Sequence, residues 1–144
     1  MNISRELLDE LIGHVREDPE NEVCGVVAVE PGDSAAAGNA PARAVRVYRA
    51  RNIHASPLKF EIEPAELLKL SNACEEVGSL GAIYHSHVRS EPYPSQTDIN
   101  FAANWPGVEW IIVGLGGGEE PQARSYLIDD AGRVEEVEIT ETAM

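Results

Sequence analysis

At 144 residues the chain is long enough for one domain (1–144) with a substantial core, and too short for two. A formal net charge of -14 argues against a nucleic-acid partner, because phosphate binding needs a surplus of Lys and Arg. The acid excess first serves solubility, and it also suits a basic partner surface. No apolar run approaches the ~20 residues needed to cross a bilayer. The opening stretch MNISRELLDELIG carries charges where a signal peptide would have an apolar core. A cytoplasmic protein with no membrane partner is expected. Lysine occurs only at Lys59 and Lys69, which fits a GC-rich genome or a salty cytoplasm equally well. Cys24 and Cys74 form no CxxC pair and read as reduced, packed thiols.

Residues 4–16 predict an amphipathic helix, with Leu7, Leu8, Leu11, Ile12 and Val15 at helical spacing and Ser4 as N-cap. Pro19 and its polar neighbours break it. Residues 22–30, EVCGVVAVE, read as a buried strand, and Gly25 within it marks a close backbone approach. A loop, expected to be mobile, covers 31–41. Residues 44–50 alternate as a half-exposed strand. After a connection at 51–57, Phe60 and Ile62 predict a short strand or extended piece. Pro64 opens a helix over 65–77, with Leu67, Leu68, Leu70 and Ala73 as its apolar side and Gly78 as its stop. An apolar strand over 80–84 leads into two histidines. A helix follows over 95–104, then a strand over 109–115 and a flexible turn at Gly116-Gly117-Gly118. A hairpin of 123–128 and 134–139 closes the chain. The order predicts a mixed α/β arrangement around one central sheet flanked by helices.

The chemistry concentrates in Tyr84-His85-Ser86-His87 and the following Arg89 to Asp98. Residues two apart on a strand share a face, so His85 and His87 can present both imidazoles to one ion. Asp98 is the best third ligand, because a helix capped by Ser95 would place it in the first turn, facing the strand end. Two nitrogens and an oxygen suit zinc, and three protein ligands leave one position open for water. Each half also has a plain structural reading. An H-x-H pair alone is a weak signal, and Ser-x-x-Asp before a helix is a familiar capping box. Ser86 points to the opposite face and is expected to make a structural hydrogen bond. His14 and His54 have no companions in the sequence and read as surface residues.

The spacing His85-Ser86-His87, seven residues, Ser95, two residues, Asp98 resembles the signature of the JAMM (MPN+) metallopeptidases. Asn21-Glu22-Val23-Cys24-Gly25 resembles the glutamate segment of its short bacterial members, as does Glu91-Pro92-Tyr93-Pro94-Ser95-Gln96-Thr97-Asp98. Within the family the chain resembles the actinobacterial-type peptidases that release cysteine from a ubiquitin-like sulfur-carrier protein. The resemblance covers essentially the whole chain and implies a cytidine-deaminase-like α/β fold. It also implies one Zn2+ per chain on His85, His87 and Asp98, with Glu22 as the general base that passes the water proton to the leaving amine. Ser95 would be an oxyanion or water donor, although the sequence reads equally well with Ser95 as a helix cap. The partner implied is a small ubiquitin-like or sulfur-carrier protein with a Gly-Gly C-terminus, met in part by a wall at 89–94 that includes Glu91 and Tyr93. The long insertions of the eukaryotic deubiquitinases are missing, so ubiquitin-linkage selectivity is not expected. Two other readings stand beside the peptidase: a non-catalytic MPN-type binding module, and a purely structural metal site.

Overall fold

A computed structural model describes residues 1–33, 41–116 and 120–143. Positions 34–40 of the expected loop, and Gly117 and Gly118 of the expected glycine turn, lie outside the described residues. The elements are β1 (Asn2–Ser4), α1 (Arg5–Arg16), β2 (Cys24–Val29), β3 (Ala44–Ala50), α2 (Pro64–Val77), β4 (Ser79–His87), α3 (Gln96–Ala102), β5 (Glu109–Gly114), β6 (Gln122–Ile128), β7 (Val134–Val137) and β8 (Thr140–Thr142).

Six strands form one mixed sheet in the order β3-β2-β4-β5-β6-β7. Only β4 and β5 run parallel, and α3 is the helix that carries the chain between them. β2, β4 and β5, three of the four inner strands, read as apolar runs because both faces of the sheet are covered there. On one face lie Leu11, Val15, Val27, Ala82, Tyr84, Ile111 and Val113, under α1. On the other lie Cys24, Val26, Ile83, Trp110, Ile112 and Tyr126, with Cys74 of α2 and Ala102 of α3. Gly25 is needed where these layers touch: a Cβ there would sit 2.3 Å from the Tyr84 ring.

Several expectations change in detail. β1 and β8 are too short for alternation to reveal; they pair in parallel as a separate two-stranded ribbon. The last hairpin strand stops at Val137 because the chain beyond it turns to the N-terminal segment. There the Glu138 carbonyl accepts from the Met1 ammonium, and the Thr140 N–H donates to the Met1 carbonyl. Residues 60–62 are irregular in place of a strand. On α2 the buried residue is Cys74, while Leu68 is largely exposed. His14 is not a lone surface residue: it is half-buried, and its Nδ1 meets the hydroxyl of buried Tyr84. Burial and Arg49 lower its pKa, with Glu17 opposing, which favours the neutral ring. His54 also has a companion, the Glu61 carboxylate at 2.9 Å.

Candidate metal centre

β4 ends at His87, and the chain reverses so that the first turn of α3 meets the strand's C-terminal end. Ser95 caps that turn. Its Oγ accepts from the Asp98 N–H at 3.2 Å while the Asp98 carboxylate accepts from the Ser95 N–H at 2.9 Å, a complete capping box. The cap fixes the aspartate, which is buried with both histidines.

His85 Nε2 lies 3.1 Å from His87 Nε2, and each lies 3.2 Å from Asp98 Oδ2. An ion at ~2.0–2.1 Å from all three would see ligand angles of roughly 100°, close to tetrahedral. His87 Nδ1 donates to the Glu91 carbonyl at 2.8 Å, so in the neutral ring Nε2 carries a lone pair aimed into the group. A lone pair facing a carboxylate oxygen at this distance repels it unless a proton or a cation lies between. These are the only three His, Cys, Asp or Glu side chains among the described residues that gather closely enough to hold a metal. The donor set fits a borderline divalent ion such as zinc.

The titration of these groups reflects the crowding. Burial alone would raise the Asp98 pKa, but the charge of His85 and hydrogen bonds from His85, His87 and the Ser95 N–H hold it well below the carboxylate range. Burial alone would lower the His87 pKa; its bonds to Asp98 and the Glu91 carbonyl, with the charges of Asp98 and Glu22, raise it instead.

Glu22 precedes β2 at the same corner. Cys24 pairs with His85, and the Ser86 N–H donates to the Val23 carbonyl at 2.9 Å. Continuing this register sets Glu22 beside His87. Glu22 is 7% exposed as a residue, and its carboxylate makes no hydrogen bond among the described residues. Burial pushes its pKa up to about 7, with His87 opposing and Asp98 adding to the rise. A proton acceptor near neutrality beside a ligand group is what general-base chemistry needs.

The remaining candidates separate. Ser86 is buried on the other face and accepts from the Val23 N–H at 2.9 Å, a structural bond. Cys24 is buried, its thiol is pushed up to about 12 by burial and by Glu66 and Glu22, and it stays outside the ligand group. Glu91 reaches the site through its carbonyl. With the half-exposed Tyr93 it lines a shallow hollow of about 170 Å³ shared with Arg124 and Tyr126. A hollow of about 620 Å³ between residues 102–108 and the β6–β7 hairpin is lined by none of the histidines or acids of this centre. The sequence reading missed Phe60, whose ring stacks on His85 at 4.5 Å and 25°, and Asn52, whose amide donates to the Glu22 carbonyl at 3.0 Å. Alternation marked Phe60 only as part of a short strand, and no periodicity marks Asn52, which sits in an irregular connection.

The model of the prokaryotic homologs of the JAB domain matches residues 4–129. The chain is 31% identical over 135 residues to a CysO-cysteine peptidase of Mycobacterium tuberculosis, across 93% of this chain and 86% of that one. It is 35% identical over 119 residues, 78% of each chain, to the desampylase of Haloferax volcanii. A protein of Desulfitobacterium hafniense, solved in solution, superposes with a TM-score of 0.81 at 26% identity, over 99% of this chain and 93% of the other. The match runs from the N-cap of α1 through the glutamate, the histidine strand and α3 to the end of β6, and the chain therefore belongs to the prokaryotic JAB family of the JAMM/MPN proteins.

Proposed function

We propose that the protein is a zinc-dependent peptidase or isopeptidase. It cuts after the flexible C-terminal tail of a small ubiquitin-like or sulfur-carrier protein, with chain 1–144 acting as one catalytic domain in the cytoplasm. The observation that carries this reading is the convergence of three ligand atoms beside a buried, unpartnered glutamate. The names of the two relatives, one a peptidase for a cysteine adduct and the other a desampylase, support the substrate class.

His85, His87 and Asp98 would hold one zinc ion, which supplies the Lewis acidity that makes a carbonyl electrophilic and a water acidic. Glu22 takes the proton from the attacking water and delivers it to the departing amine, so one carboxyl serves both half-steps. The Glu91 carbonyl keeps the His87 proton on Nδ1 and leaves Nε2 free to bind. The Ser95 Oγ spends a lone pair on the Asp98 N–H, which leaves its own O–H free to donate to a developing oxyanion. Capping and catalysis are therefore compatible in one hydroxyl. Glu91 and Tyr93, on the connection that fixes His87, would meet the substrate. A Gly-Gly terminus suits a tail that must pass close to a buried ligand group.

Two leaving groups compete: free cysteine on a sulfur carrier, and a lysine amine in a protein conjugate. The test is to incubate zinc-loaded protein with a carrier–cysteine adduct and with a carrier–lysine isopeptide, and to read the products by mass. Cleavage after the terminal glycine, stopped by a chelator and restored by zinc, is expected in at least one arm. Stoichiometric zinc with no turnover in either arm would overturn the peptidase and favour a binding module.

A further inference from the structure

We infer that Asn52 is a positioning residue of this centre, tying the backbone of Glu22 to the loop that lays Phe60 on the His85 ring. The inference rests on the roles proposed above for Glu22 and His85.

The Asn52 side chain is saturated. Its Nδ2 donates to the carbonyls of Glu22 and Lys59, both at 3.0 Å, and its Oδ1 accepts from the N–H groups of His54 and Glu61, both at 3.1 Å. Two carbonyls at one end and two N–H groups at the other fix the orientation of the amide. Two of these partners, Lys59 and Glu61, flank Phe60. The asparagine therefore grips the chain on either side of the residue whose ring it places.

Other ties hold the loop, among them the Ile53 N–H to the Glu61 carbonyl at 3.1 Å and the buried Ile62, but Asn52 is the side chain that joins both neighbours of Phe60 to Glu22. Residues 51–63 contain no helix or strand, and Ala55 sits at φ 44°, a left-handed conformation that a non-glycine residue keeps only when its surroundings demand it. Leu58 is 85% exposed and contributes nothing to a core. The same loop holds Glu22 at both backbone groups: the Glu22 N–H donates to the Ser56 carbonyl at 2.8 Å, and its carbonyl accepts from Asn52.

The two histidines show why this matters. His87 is oriented by a hydrogen bond from its outer nitrogen. The buried outer nitrogen of His85, Nδ1, has no hydrogen-bond partner among the described residues. The stack on Phe60 sets the plane of that ring in place of the usual outer hydrogen bond. One carboxamide thus steadies the base through its backbone and one ligand through an aromatic wall.

The test uses Asn52→Asp, Phe60→Leu and Phe60→Tyr in the full chain, with three readouts: zinc affinity by chelator competition, kcat and KM on the adduct that the native protein cleaves, and the melt of the metal-free protein. Asn52→Asp keeps the two accepting bonds and turns an oxygen toward the Glu22 and Lys59 carbonyls. It is expected to weaken zinc about tenfold and to lower kcat at least about tenfold, with KM changed less than about threefold. Phe60→Leu should weaken zinc by a similar factor, and Phe60→Tyr, which keeps the stack, should restore it. If Asn52→Asp does not fold, the Phe60 pair decides through zinc affinity alone. Native zinc affinity and kcat in Asn52→Asp, a rise in KM alone, or equal affinities for Phe60→Leu and Phe60→Tyr would overturn the inference. If the native protein cleaves no adduct while the variants still lose zinc, the peptidase reading falls and the positioning role stands.

Discussion

Two buried glutamates sit among the described residues, and their surroundings differ in kind. Glu109, at the start of β5, is 1% exposed and surrounded by donors. The Met1 ammonium lies 2.9 Å from Oε1, the Ser125 hydroxyl 2.9 Å from the same oxygen, and the Ala42 N–H 2.7 Å from Oε2. Glu22 is nearly as buried, has no such donors, and has a carboxyl pKa of about 7. A carboxylate whose lone pairs are satisfied is structural, because removing it strands every donor around it. A carboxyl left without donors spends little on the fold and stays free to exchange a proton. Burial alone does not separate the two; the donor inventory does.

The largest expected contrast is between their amide variants. Glu22→Gln should reduce cleavage about 10²–10⁴-fold, the worth of a general base, while zinc stoichiometry and melting temperature stay near native. Glu109→Gln should do the reverse. It leaves the Met1 ammonium facing a neutral amide and costs about 2–4 kcal/mol of stability, with the activity per folded molecule unchanged. A Glu22→Gln protein that melts several degrees lower with full activity would invert the comparison.

A second contrast lies in pH and metal. In the metal-free protein the Glu22 pKa is raised, so its contribution to stability is complete below about pH 4.5 and is lost as pH climbs toward about 7. The raised His87 pKa acts in the same direction: its contribution is complete below about pH 6.5 and is lost above its folded value. The lowered Asp98 pKa works at the acid end, where its contribution fades only as pH falls far below the usual carboxylate range. The chelated protein should therefore melt at a lower temperature at pH 8 than at pH 5.5. Zinc needs deprotonated ligands, so the stabilisation it brings should be larger at pH 8 than at pH 5.5. Glu22→Gln should flatten the metal-free curve in part. Equal zinc stabilisation at both pH values would mean that these groups do not bind the ion.

Much of this corner was legible in the sequence, because its rules are local. Period-two alternation puts His85 and His87 on one face, and the Ser95-to-Asp98 interval writes a capping box whose aspartate meets the strand end. The helices and inner strands followed from periodicity and apolar runs. The β1–β8 ribbon, the donors around Glu109 and the His14–Tyr84 pair depend on contacts between residues far apart in the chain, 137 positions for Met1 and Glu138, and no local pattern encodes those. Asn52 was hidden for another reason. An asparagine in a connection is ordinary turn chemistry, and its significance appears only when the ends of its four hydrogen bonds are known.

The smallest effect concerns Ser95, where cap and donor roles share an oxygen but use different parts of it. Its lone pair bonds the Asp98 N–H, and its proton is free. Ser95→Ala removes both roles and should cost about 1 kcal/mol of stability, whereas Ser95→Gly costs only about a few tenths, since glycine is a tolerable N-cap. Melting temperatures should therefore rank native, then Gly, then Ala. If the hydroxyl donates to the oxyanion, the rates should not follow that ranking. Both variants would lose activity together, by about tenfold, which is less than the 10²–10³ of a principal donor because zinc would share the charge. A Gly variant at the native rate would reduce Ser95 to the cap that orients Asp98.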